Sequence, residues 1–172
     1  MRWGLIPAWS KEPKTEYSTI NARAETVAAK PAFRSAFRCR HCLVLADAYF
    51  EWQARPGGKL KQPFLIGLKN QGLFAFAGLW ERWQQEETVI ESCTIIVMDA
   101  NALTRPIHDR MPVILDPLNY DAWLDNKATA DSLHSLLKPY DSNSMRAYPV
   151  SIQVNNPRHD DPRMIEPITA FE

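Results

Sequence analysis

The chain has 172 residues, a formal net charge of zero, 45% hydrophobic and 23% charged side chains, which suits one globular domain over residues 1–172 and excludes disordered and collagen-like classes. No apolar run reaches the length of a membrane span, and Met1-Arg2-Trp3-Gly4 offers no basic-then-apolar leader, so a soluble cytoplasmic chain is expected, nucleoid-associated in a bacterium, with no membrane partner. Three cysteines, an odd number at this size, fit a reducing compartment.

Charge is unevenly spread. Residues 21–62 carry Arg23, Lys30, Arg34, Arg38, Arg40, Arg55, Lys59 and Lys61 against Glu25, Asp47 and Glu51, whereas residues 81–172 are rich in Asp and Glu. A basic end suits phosphate contact even in a neutral chain, although ordinary solvated surface reads the same way.

In chain order, an extended opening runs through Trp3 to Pro7. Next, Thr19-Ile20-Asn21-Ala22-Arg23 places an amide and a guanidinium two residues apart. If that stretch is extended both side chains share one face, which suits orienting a substrate and gripping a phosphate; the plain alternative is that Asn21 supports a helix start. Ala24 to Phe37 predicts helix, with Pro31 restarting a second short one. Cys39-Arg40-His41-Cys42 has metal or redox spacing, but it lacks two further zinc ligands and runs straight into a strand instead of opening a helix, so neither role is expected.

Leu43 to Trp52 predicts a strand ending on Glu51, a carboxylate set among Phe50 and Trp52, which suits proton transfer; a glutamate turned to water is the ordinary alternative. A turn cluster at 55–59 leads to a strand over Pro63 to Leu68, a turn at Asn70-Gln71-Gly72, and strands over Leu73 to Trp83 and Ser92 to Met98. Four such strands in succession predict an antiparallel meander. Pro106-Ile107-His108-Asp109-Arg110-Met111-Pro112 sets a histidine among charges in a proline-bracketed loop, where catalytic groups concentrate. Short helices are expected over Pro117 to Asp125 and Ala128 to Lys138, and a strand over Met145 to Val150. The fold class is α+β, a β-rich, barrel-like antiparallel core flanked by short helices.

Four motifs in register, Arg2-Trp3-Gly4-Leu5-Ile6-Pro7-Ala8-Trp9, Ile20 to Thr26, Ala46 to Trp52 and Ile107 to Pro112, resemble the SRAP family, the SOS-response-associated peptidase domain. The tail from Val150-Ser151 to Val154-Asn155-Asn156 is similar to the family's closing segment. The resemblance implies a protein that binds single-stranded DNA, or junctions of single and double strand, and shields abasic sites. By it Asn21, Glu51 and His108 are the active-site amide, carboxylate and imidazole, expected in one cleft, and Arg23 and Arg110 contact the DNA backbone. Lys30 adds charge, Trp9 beside the stiff Pro7 stacks on bases, and Trp3, Trp52, Trp80 and Trp83 are expected in the core. A monomer without cofactor or metal is implied.

The family's chemistry is covalent: an N-terminal cysteine supplies an amine and a thiol that close on the sugar aldehyde as a thiazolidine. Relatives begin Met-Cys-Gly-Arg, whereas this sequence opens at the Trp-Gly strand, so an N-terminally truncated domain, inactive for crosslinking as written, is expected. Ser10 stands where many relatives carry a second aromatic. Two alternatives stay open, a peptidase or self-processing hydrolase and a non-covalent DNA-binding module; neither a G-x-S-x-G nor an H-E-x-x-H motif is present.

Overall fold

The structure is a computed structural model that describes residues 1–14, 18–54, 57 and 60–168. Of the turn cluster expected at 55–59, Arg55, Pro56, Gly58 and Lys59 lie outside the described residues. The elements are β1 (Arg2–Trp3), β2 (Asn21–Arg23), α1 (Arg34–Cys39), β3 (His41–Ala46), β4 (Ala48–Gln53), β5 (Gln62–Leu68), β6 (Phe74–Gln85), β7 (Thr88–Asp99), β8 (Arg110–Pro112), β9 (Ile114–Leu115), α2 (Tyr120–Leu124), α3 (Ala130–Leu136) and β10 (Met145–Pro149), with short 3-10 turns between. No helix among the described residues is long and apolar enough to cross a membrane.

The chain divides into two compact units, each assembled from three chain segments: Met1–Leu45, Phe74–Met98 and Pro112–Tyr140 in the first, Ala46–Leu73, Asp99–Met111 and Asp141–Glu172 in the second. The α+β class stands, but the expected barrel closure does not. A seven-stranded sheet runs β1-β7-β6-β3 with β2 and β8 on β7 and β9 on β6, and a separate three-stranded sheet runs β10-β5-β4. The meander fails at Asp47, where the Leu43 to Trp52 run bends and its halves, β3 and β4, enter different sheets. Nor is pairing wholly antiparallel, since β1 and β2 both run parallel to β7.

In the first unit β6 and β7 form a long hairpin whose register closes at Gln85 and Thr88. The intervening turn places Glu86 at φ +51°, a left-handed conformation that a side chain adopts at a cost and that turn signals built on Gly or Asn do not flag. Gly78 of β6 sits against β3: a Cβ there would lie 2.8 Å from Cys42 Sγ, so only glycine allows this approach.

β7 alternates as a half-buried strand should. Ser92, Thr94 and Ile96 are fully buried while Cys93, Ile95 and Val97 are partly open. The buried face packs into one apolar cluster with Leu5, Ala22, Phe37, Leu79, Trp123 and Leu133. Trp123 is completely buried, its indole N–H donating to Cys42 O at 3.1 Å, with the His41 ring 4.8 Å away, centroid to centroid.

The predicted helix over 24–37 contracts to α1. Residues 24–33 form successive turns, with Thr26 O accepting from Ala29 and Lys30 and Lys30 O from Phe33 and Arg34. Pro31 explains this, because it lacks an N–H and pushes Lys30 away from helical geometry. Ala24, Val27, Ala32, Phe33, Ala36 and Phe37 still bury one face. The later helices and β10 fall within the predicted ranges. Asp116 caps the turn that opens at Pro117 by accepting from Leu118 N, and Thr129 caps α3 by accepting from Ser132 N.

Candidate functional site

The two units carry different kinds of candidate residue. In the first, β2 is held on β7 with Asn21 opposite Ile95, Ala22 opposite Ile96 and Arg23 opposite Val97. Ala22 is buried and its two neighbours are exposed, so the amide and the guanidinium share one open face, as the extended reading requires. Lys30 is also exposed.

Trp9 is exposed at 63%, whereas Pro7 is buried. Pro7 O accepts from Ser10 N at 2.9 Å, and Ser10 O accepts from the Trp83 indole N–H at 2.8 Å. Pro7 thus shapes the turn that presents Trp9 and offers little contact surface itself. The tryptophans expected in the core divide: Trp83 is buried, Trp52 and Trp80 are half-buried, and Trp3 is exposed at 56%. The fully buried indole is instead Trp123, whose place on a short helix with one apolar face was its only sequence signal.

The second unit holds Glu51 and His108. Glu51 lies on β4, half-buried, opposite Phe64 of β5, and its Oε1 accepts from Trp52 N at 3.1 Å. Tyr49, two residues back on the same strand face, has its phenol pKa pushed up by burial first and by the Glu51 charge second. Gln53, two residues on, donates from Nε2 to Pro106 O at 2.8 Å. The strand that bears Glu51 is thereby tied to the loop that bears His108.

That loop is built by a residue that carried no motif signal. Asn101 Oδ1 accepts from Leu103 N at 3.1 Å, Thr104 N at 3.0 Å and Thr104 Oγ1 at 3.1 Å. Arg105 Nη2 donates to Ala100 O, and Ala100 N donates to Asp109 O, both at 3.0 Å, closing the loop at its base. A buried Asn adjoining short polar residues is the only sequence hint, and it is common. His108 Nδ1 lies 3.0 Å from Arg110 N, from which it accepts when the ring carries its proton on Nε2, and 3.3 Å from Arg110 O, to which it donates when Nδ1 is protonated. The same Nδ1 lies 3.2 Å from Asp109 Oδ1, so a protonated ring has a carboxylate waiting. Arg110, half-buried, is ion-paired with Asp99.

Not every base in the basic stretch is available. Arg40 is paired at 2.6 Å with the buried carboxylate of Glu81. Two of the three thiols are unsuited to nucleophilic work: burial, helped by Cys93, pushes Cys42 up to about 12, and burial also raises Cys93 against the opposing pull of the N-terminal amine. Cys39 ends α1 and Cys42 lies in β3, so the C-x-x-C pair spans a helix-to-strand junction.

A family model described as SOS response associated peptidase (SRAP) matches residues 1–157. The abasic site processing protein YoqW of Bacillus subtilis is 49% identical over 168 residues, spanning 96% of this chain and 75% of that protein. The abasic site processing protein HMCES of Xenopus tropicalis is 34% identical over 194 residues, spanning 98% of this chain and 56% of that protein. A crystal structure of a Bacteroides thetaiotaomicron protein superposes with a TM-score of 0.89 at 34% identity, covering 96% of this chain and 75% of that one. The motifs in register, the structural match and the relatives agree: this chain belongs to the SRAP family.

Proposed function

We propose that this chain processes abasic sites, binding single-stranded DNA or single-to-double-strand junctions as a monomer and holding the opened sugar for covalent capture. The observation that carries the reading is the open face of β2, where Asn21 and Arg23 stand side by side as sugar-orienting amide and phosphate-gripping cation. Relatives named for abasic site processing support it. Lys30 and Arg110 add cationic contacts to the backbone, Arg110 from its pairing with Asp99, and the exposed Trp9 stacks on a base.

In the capture step a terminal amine adds to the sugar aldehyde, the carbinolamine loses water to give an imine, and a thiolate adds to the imine carbon to close a thiazolidine. Protons must move onto the ring oxygen as the sugar opens and onto the departing water. Glu51 and His108, tied together through Gln53 and Pro106, serve as that acid/base pair. The thiols of these 172 residues cannot supply the nucleophile, because their backbone nitrogens are amides and burial keeps Cys42 and Cys93 protonated. The burial argument also counts against a peptidase built on Cys42 or Cys93.

The test is a denaturing gel of protein with single-stranded DNA holding one abasic site. These 172 residues should bind the DNA and leave no denaturant-stable adduct. Fusion to a relative's segment headed by Cys-Gly-Arg should produce the adduct, and alanine at that first cysteine should remove it. A stable adduct from the unfused chain would refute the assignment of the nucleophile.

A further inference from the structure

We propose that Trp3 is a base-stacking residue of the single-strand track, one step from Asn21, where it holds the base beside the abasic sugar. This deepens the reading of Asn21 and Arg23 as DNA contacts and rests on it. Trp3 pairs in register with Cys93, Asn21 with Ile95 and Arg23 with Val97. In a parallel ladder, paired residues project to one face, and alternate residues of β7 share that face. Trp3, Asn21 and Arg23 therefore form one row along the same edge of β7, β6 occupying the other edge. Neighbours in the row are about 6.6 Å apart, two residues at about 3.3 Å each, a spacing comparable with one extended nucleotide.

All three row members are exposed, whereas Ser92, Thr94, Ile96 and Ala22 on the opposite face are buried. Trp3 is thus outside the apolar cluster. Its indole N–H donates to Ile20 O at 2.8 Å, a bond to the residue just before Asn21. That bond satisfies the ring's only polar group and fixes its orientation before any ligand arrives, which reduces the ordering cost of stacking. Arg23 provides the positive charge for the backbone. The acids nearest the row on this face of β7 are Glu91, which lies beyond Trp3 and stands opposite Arg82 in the β6 register, and Asp99, which lies beyond Arg23 and is ion-paired with Arg110. An aromatic, an amide and a guanidinium in line are the groups a single strand requires: a platform for a base, a hydrogen-bonding partner for a sugar, a clamp for a phosphate.

The experiment measures binding of the whole chain to a labelled single-stranded oligonucleotide carrying one tetrahydrofuran abasic analogue, by fluorescence anisotropy at several salt concentrations. Trp3→Ala should weaken binding about tenfold with the salt slope unchanged, and Trp3→Phe should recover most of the loss. Arg23→Ala should instead lower the slope by about 0.7 per lost phosphate contact. Placing a second analogue beside the first should weaken the parent and leave Trp3→Ala unaffected. Parent-like binding by a folded Trp3→Ala overturns the Trp3 assignment and leaves the proposed function standing; a parent that binds no single strand overturns that function itself. Should Trp3→Ala not fold, removal of either neighbouring base without effect on the parent overturns the assignment.

Discussion

The first unit is built around a dry cluster, with Trp123, Phe37, Leu79 and Ile96 closed under the seven-stranded sheet, and it exposes its candidate residues on the far side of the same strands. The second unit is organised by buried amides: Gln62 donates to Pro63 O and Val150 O, and Asn101 folds the loop that carries His108. The first kind of construction offers a rigid face for holding a ligand, the second a hydrogen-bonded loop that positions titratable groups. The proposed function assigns grip to the first unit and proton chemistry to the second, and each side of that division of labour can be broken separately.

The largest effect falls on the second unit. In protein headed by the cysteine segment, Glu51→Gln or His108→Ala should slow adduct formation by about 10²–10⁴-fold each, read as single-turnover rates on denaturing gels, with affinity for the DNA little changed. Equal losses in rate and affinity would end the division of labour. Next, Trp123→Ala should cost about 3–5 kcal/mol of stability in denaturant unfolding, because it empties the centre of the first unit and removes the indole's bond to Cys42 O. A third change, Asn101→Ala, removes the acceptor of Thr104 N and leaves the Thr104 hydroxyl only its weak bond to Met111 Sδ at 3.7 Å, and should cost about 1–3 kcal/mol, with a loss of rate that exceeds the loss of affinity.

The smallest effect is on pH dependence. Burial holds the His41 pKa below its ordinary value of 6.5, and the bond of its Nε2 to Phe37 O only partly opposes this. A histidine with a depressed pKa contributes stability that is present above 6.5 and lost as pH falls through the folded value, since the unfolded chain takes up the proton first. Melting temperature should therefore fall on acidification below 6.5, and His41→Leu should flatten that part of the profile. A decline of the same steepness in the variant would place the acid sensitivity elsewhere.

Much of this was legible in the residues themselves. The alternation that buries Ala22 and exposes Asn21 and Arg23 follows from the pleat of an extended strand, whatever strand it joins. The turn at Pro117, the cap at Thr129 and the strand at Met145 are local events, set by nearest neighbours in the chain. The four motifs carried the family because their order and spacing are sequence properties.

What only the tertiary structure decided depends on contacts between distant segments. Asp47 is a bend because β3 finds β6 while β4 finds β5, a choice among partners that no local propensity encodes. Trp3 and Trp123 are chemically the same residue. One lies on an edge strand against β7 with its far face open, and the other lies beneath the sheet on a helix of five residues. Hydrophobicity favours burial of both equally, and which of them is buried is settled by the space that the rest of the chain leaves.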